Sequence, residues 1–311
     1  MIPLKKRLLL PAFGIKPGQK NFNTFCAIIQ GLCSLPAFLG KIGQMEQHYT
    51  NEGNNFGIYF INFVNIIKLP INGPLETNAL INQLYDNFSH MLIKKKKRRK
   101  SQTIFSMLND IIVFLQPDNI KFDEPCVTDV FLIRIRYRMI CLDCDSVTKL
   151  YVEEKPLIDN MNNYLRMIGG QYTFDMDSFL RAGTMVNDYI CGYCNRGQNI
   201  VREEYLTMLR EVFVLVFDDP PPVDFSPPEY LHVPFGQGQA RKYRLAAQIN
   251  SVNPTGPFDV GKKPGELAGG PFKCKLLRAP NRYFEVNGEM VNQNSGNLGA
   301  NKVILFYHYS K

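Results

Sequence analysis

Two short cysteine pairs constrain this chain more than any other feature of it. Cys141-Leu-Asp-Cys144 and Cys191-Gly-Tyr-Cys194 each bring two thiols together across a tight turn, and 46 residues separate the pairs. Unrelated buried cysteines rarely repeat that local spacing, whereas tetrahedral structural zinc held by four thiolates uses it. In a reducing compartment such pairs argue for metal rather than disulfides. Both pairs sit at the ends of strand-like segments, so the spacing predicts a projecting β-ribbon with little core of its own, stapled by zinc. Four protein ligands leave no open coordination position, and metal catalysis is not expected.

The 311 residues are 45% apolar, enough to bury a substantial core, and no linker-like stretch divides them. One elaborate domain over 1–311 is the simplest reading. Met1 to Phe13 combines Lys5-Lys6-Arg7 with a Leu8-Leu9-Leu10 run cut by Pro11, a poor signal peptide. No stretch reaches the roughly 18 apolar residues of a membrane span, so a soluble intracellular protein without membrane contact is expected. The net charge of +8 is local. Lys94, Lys95, Lys96, Lys97, Arg98, Arg99 and Lys100 carry nearly all of it, and the remainder is close to neutral. That basic loop reads as a solvated lead-in to the next helix, as a nuclear-import signal, or as a phosphate-contacting segment. With no aromatic among its residues, any RNA contact would go to the backbone rather than the bases.

Apolar residues Phe25, Ile28, Ile29 and Leu32 recur at helical spacing ahead of Pro36. Ile104, Met107, Leu108, Ile111, Ile112 and Leu115 predict a second helix before Pro117. After Asp129 the period becomes two. Ile133, Ile135, Tyr137 and Met139 alternate with Arg134, Arg136 and Arg138, which predicts a strand with one wet, basic face. Val212 to Phe217 (VFVLVF) reads as a strand buried on both faces, with further strands at Tyr243 to Asn250 and Lys302 to Tyr309. Asn253 to Gly270, rich in Gly and Pro, reads as a surface loop. Helices come first and strands follow, so the class is α+β.

The order of these segments resembles the ubiquitin-specific proteases, papain-like cysteine peptidases, over roughly residues 14 to 310. GIKPGQKNFNTFCAIIQGL, from Gly14 to Leu32, is similar to the family's Gly-rich lead, Asn-Thr-Cys box and Gln-x-Leu helix. The cysteine pairs stand where the family carries its finger zinc. VFVLVF, then YRLAAQIN at Tyr243 to Asn250, then GPFKCKLLRAPNRYFEVNGEMV at Gly270 to Val291, then VILFYHYS follow in the family's order. The resemblance implies a helical thumb (14–128), zinc-bearing fingers (129–210) and a β palm (211–311). VTDVF at Val127 to Phe131 and Tyr283 to Val286 look like the triad-less members associated with the spliceosomal tri-snRNP.

A papain-like thiol hydrolase needs a thiolate, a histidine and an orienting Asn or Asp. The family's histidine directly follows the glycine of its "G-H-Y" stretch, and here that position is Pro271, which has no acid or base. For the nucleophile two registers compete. Matching Gln30 and Leu32 places Asn23 there and Gly18 at the oxyanion-stabilising position, whereas a shift of three residues offers Cys26, with Asn21 as oxyanion donor. Asn287 matches the third triad position, and Asn287-Gly288 also reads as a plain hairpin turn. The family's tail-gripping acids match Thr103 and Ser106, which cannot make charge-assisted bonds to the arginines of a ubiquitin tail. The resemblance thus implies an inactive homologue that serves as a protein-interaction scaffold, with a nuclear RNA-processing assembly as its setting. Binding of ubiquitin or a ubiquitin-like protein without cleavage, and an active deubiquitinase using Cys26, are the alternatives.

Overall fold

The helical part of the chain is organised by the proline, glycine and asparagine residues that interrupt its apolar runs. The computed structural model describes residues 22–67, 77–94, 104–116, 126–158, 161, 165–174, 184–186, 189–197, 199–217, 225–236, 238–251, 272–279, 282–287, 290–293 and 302–310. Helix α1 (Phe22–Leu32) buries ten of its eleven residues. Leu35 is extended and Pro36, whose missing N–H costs nothing at a helix start, opens α2 (Pro36–Gln44). Helix α3 (Glu46–Glu52) stops at Gly53, whose φ of 64° is the left-handed cap that a side chain resists. Asn54 then caps α4 (Asn55–Ile67), its Oδ1 accepting the Gly57 N–H at 3.0 Å. Helices α5 (Thr77–Lys94) and α6 (Ile104–Phe114) complete the layer. Lys94 corrects one expectation, because it is the last residue of α5 rather than part of a loop. Lys95 to Lys100 lie outside the described residues, as do Gly18, Thr103, Pro271, Gly288 and the expected loop at Asn253 to Gly270.

After a short 3-10 turn (Val127–Val130) the chain is β. Strands β1 (Ile133–Cys141), β2 (Val147–Lys155), β5 (Thr184–Met185) and β6 (Ile200–Met208) form a sheet in the order β2-β1-β6-β5. Strands β3 (Leu165–Ile168) and β4 (Gln171–Phe174) make a separate hairpin. The larger sheet runs β12-β11-β10-β9-β13-β7, from β7 (Val212–Val216), β9 (Gln239–Ser251), β10 (Phe272–Ala279), β11 (Arg282–Asn287), β12 (Met290–Gln293) and β13 (Lys302–Tyr309). Strand β8 (Tyr230–Phe235) pairs with the first half of β9.

The period-two pattern explains how both sheets are covered. Val212, Val214 and Val216 point into a core shared with all six helices, together with Ile249, Phe272, Ile304 and Phe306. Phe213 and Leu215 point the other way, into a second core with Tyr243, Leu305, Tyr307 and the base of the smaller sheet at Ile133, Ile135 and Tyr137. VFVLVF is therefore buried on both faces because helices cover one side and a β layer the other. Helix α1 reaches the sheet most closely at Gly31, where an added Cβ would stand 2.6 Å from the Phe306 ring.

Candidate functional sites

The smaller sheet ends in the four cysteines. Cys141 closes β1, Cys144 follows across a turn, and Cys191 and Cys194 make the matching turn ahead of β6. The two turns share a design. In each, the first cysteine's N–H donates to the carbonyl five residues on, Cys141 to Ser146 at 3.0 Å and Cys191 to Arg196 at 2.8 Å. In each, the residue after the second cysteine has positive φ, Asp145 at 54° and Asn195 at 55°, a conformation Asp and Asn tolerate best among side-chain-bearing residues. Asn199 joins them, donating to Asp143 at 2.7 Å and accepting the Leu142 N–H at 2.8 Å.

All four sulfurs lie within 4.8 Å of one another, Cys141 to Cys194 at 3.6 Å and Cys144 to Cys191 at 3.7 Å. A disulfide would require about 2.05 Å. Sulfurs at the corners of a tetrahedron, each about 2.3 Å from a central zinc, stand about 3.8 Å apart, so the observed spacing fits an ion. Tyr193 N–H donates to Cys191 Sγ at 3.4 Å, and side-chain and main-chain hydrogen bonds from Ser146 draw the Cys144 thiol down to about 7, whereas burial and the neighbouring thiols push Cys141 and Cys194 up. Among the described residues, Met139 and Ile200 join the two buried cysteines in a small local core, with half-buried Val186 and Tyr189 packed against it. The spacing in sequence identified the ligands, whereas Ser146, Asn195 and Asn199 carried no signal beyond their nearness to them.

The would-be thiol site lies where α1 packs on β9 and β10. Asn23 is half-buried and already partnered, and Cys26, one turn later, is 6% exposed. Burial pushes the Cys26 thiol well above its ordinary value, and nearby Cys274 adds to the effect. Cys274 itself donates to the carbonyl of Ala27 at 3.8 Å, within the core. On β11, Asn287 stands opposite Lys273 of β10, and it also pairs with Met290 of β12 as a hairpin turn requires.

All four histidines are placed, and none lies on α1, β10 or β11. His48 is on α3 and His232 on β8. His90 on α5 and His308 on β13 bond the main-chain carbonyls of Asp86 and Tyr309 at 2.9 and 3.2 Å. Ser106, at an expected tail-gripping position, is buried on α6.

No family profile matches the sequence, and no curated protein does. Solved structures match across the whole chain. The chain is similar to Ubp8 in the SAGA DUB module with Sgf11, Sus1 and Sgf73 bound to monoubiquitin, at TM-score 0.71 and 18% identity over 100% of this chain and 72% of that one. It is similar at 0.69 and 18% to the module bound to ubiquitin aldehyde, with the same coverage. A yeast SAGA DUB module structure gives 0.66 and 16%, covering 100% of this chain and 71% of the other. No single described helix is long and apolar enough to cross a membrane. The polypeptide thus has the ubiquitin-specific-protease fold, a helical thumb and β palm with fingers that end in a four-cysteine cluster able to hold a metal ion.

Proposed function

We propose that this protein is a catalytically inactive ubiquitin-specific-protease homologue that works as a protein-interaction scaffold, its fingers stapled by one structural zinc on Cys141, Cys144, Cys191 and Cys194. The observation that carries the reading is the placement of the four imidazoles. A thiol buried in a helix layer, with its pKa raised and no imidazole on its own helix or on β9 and β10, the strands that helix packs on, lacks a base on those elements. His90 of the adjoining α5 is exposed and bonded to the Asp86 carbonyl. Pro271 at the family's histidine position supports the same reading, as does Asn23 at the nucleophile position in the register set by Gln30 and Leu32. The thumb, fingers and palm are assigned to 14–128, 129–210 and 211–311.

A scaffold needs a surface to hold its partner, and the fingers supply one. Cross-strand register aligns Val147, Ile140, Val201 and Met185 in one row across all four strands. Beyond it on the same face come Leu150 beside Arg138 and Val152 beside Arg136. Leu150 is 60% exposed and Val152 51%, more apolar surface than a lone sheet face carries without a partner. Glu154 and Glu203 neutralise Arg134 and Arg138, at 2.6 and 2.5 Å, and Arg136 remains exposed. The face suits a protein with an apolar patch and a surplus carboxylate. The basic run from Lys94 to Lys100 supports a nuclear setting.

Affinity purification of the wild type beside Leu150→Asp with Val152→Asp tests the scaffold reading: a defined set of proteins lost by the variant, at unchanged melting temperature, is expected. Identical recoveries would refute the assigned surface. Ubiquitin binding without cleavage is a second reading, favoured by ubiquitin-bound structures among the structural matches. Titration of labelled ubiquitin into the protein separates the two.

A further inference from the structure

We infer that β2 pairs with β2 of a second copy, edge to edge and antiparallel, so that two chains share one continuous finger sheet. In the smaller sheet β2 stands at one end, paired with β1, and among the described residues no strand covers its other edge. An open edge presents main-chain N–H and C=O groups to any extended chain that fits it. Folded proteins ordinarily spoil such an edge with proline, a bulge or charge. From Lys149 to Lys155, β2 has no proline or glycine and pairs with β1 without a register shift. The edge does carry charge, and the order of that charge selects the occupant.

Turned antiparallel about Tyr151, the strand is its own complement. Lys149 comes opposite Glu153 of the second copy, Leu150 opposite Val152, and Tyr151 opposite Tyr151, and the two-fold axis repeats the first two pairs. A register centred on Val152 sets Lys149 against Lys155 instead, and one centred on Glu153 sets two carboxylates face to face. Both charged groups are accessible. Lys149 is exposed, its ammonium 5.2 Å from the centre of its own Tyr151 ring. Glu153 meets Lys155 of its own strand at 3.4 Å through one oxygen and accepts the Tyr137 hydroxyl, yet its side chain is 44% exposed. A carboxylate offers about four acceptor sites, so room remains for an ammonium. On the other face of the strand, the exposed Leu150 and Val152 of each copy come to lie beside those of the other, a continuous apolar row across the axis.

Sedimentation of the full chain, prepared without chelator, over a micromolar concentration series tests the pairing, and a monomer–dimer equilibrium is expected. Lys149→Glu alone sets carboxylate opposite carboxylate, and Glu153→Lys alone sets ammonium opposite ammonium. Each should raise the dimer dissociation constant by about tenfold, because the two-fold axis makes every substitution act twice. An equimolar mixture of the two variants should recover dimers containing one chain of each kind, since each supplies the charge the other lacks. Lys149→Glu with Glu153→Lys in one chain should dimerise as the wild type does. These rescues separate pairing from folding, because a misfolded variant gains nothing from its counterpart. Lys149 and Glu153 lie on the opposite face of β2 from Leu150 and Val152, so the charge variants leave the proposed docking face intact and their outcome does not decide the scaffold reading. A wild type that stays monomeric throughout, leaving the edge to an extended segment of another protein, would overturn the assignment. So would a dimer indifferent to both single substitutions, or an equimolar mixture that stays monomeric.

Discussion

Single residues decide whether a thiol can react here and how closely the helices approach the sheet. Gly31 sits between Gln30 and Leu32 on α1, and an added methyl would press on the buried Phe306 ring at 2.6 Å. Gly31→Ala is therefore expected to destabilise the protein by about 1–3 kcal/mol through overpacking, despite the better helix propensity of alanine. Chemical denaturation checks it, and a neutral or stabilising effect would show that α1 stands further from β13. Buried protons set the alkaline limit. Burial raises the Cys26 thiol, and it holds Tyr243 and Tyr283 up to about 12. In the unfolded chain these groups ionise near about 8.5 and about 10. The folded state binds the protons more tightly, so this stability is fully present below the unfolded values and is lost as pH rises toward the folded ones. The melting temperature should be flat near neutrality and fall increasingly above about pH 9. Cys26→Ala should flatten the onset of that fall while the tyrosine-dependent part remains. An unchanged onset would mean that Cys26 is less buried than the structure shows.

Among elements, the fingers depend on something other than a core. Beyond their base, the buried apolar side chains around the cysteines are few, and the exposed face bears arginines and apolar residues. Chelation, or Cys194→Ser, is expected to remove one equivalent of zinc per chain and to speed amide exchange in β1, β2 and β6. Exchange in β7, β9 and β13 should hold, because both of their faces lie in the two large cores. A zinc content near zero in protein prepared without chelator would remove the metal from the account. The finger strand was legible in the sequence because Ile133, Ile135, Tyr137 and Met139 alternate with arginines, and the structure buries that same set. VFVLVF was legible for the opposite reason, an unbroken apolar run. Helix α4 was not: Phe56, Ile58, Tyr59, Phe60, Ile61, Phe63 and Val64 crowd all round it, and periodicity cannot tell such a run from a buried strand. Helix α5 did carry a stripe at Ile81, Leu84, Phe88 and Met91, and that spacing was the signal that could have found it. Pro36 read as a terminator and proved to be a helix start, since the residue type suits both.

At the scale of the whole molecule, the sequence disclosed the fold through the order of weak segments rather than through any one of them. The structural matches at 18% identity and TM-score 0.71 agree with that order. Cys141, Cys144, Cys191 and Cys194 were readable because metal ligation demands a rigid spacing, and the structure gathers their sulfurs within 4.8 Å. The nucleophile register was not readable, because Asn23 and Cys26 lie one turn apart on one helix and only burial distinguishes them. The proposed docking face was unreadable because it arises from cross-strand register. Replacing Lys94 to Lys100 with neutral polar residues is expected to leave the melting temperature unchanged and to shift the protein from nucleus to cytoplasm in cells. A large fall in melting temperature, or unchanged nuclear retention, would contradict that role for the run. The central claim is that the ubiquitin-specific-protease fold persists here without its chemistry. Incubation with a ubiquitin bearing a C-terminal thiol-reactive electrophile tests it most directly, with adducts mapped by mass spectrometry. No covalent adduct is predicted at neutral pH, because a free thiol is already only a few per cent ionised there and burial raises Cys26 further. A stoichiometric adduct on Cys26, absent from Cys26→Ser, would contradict the account.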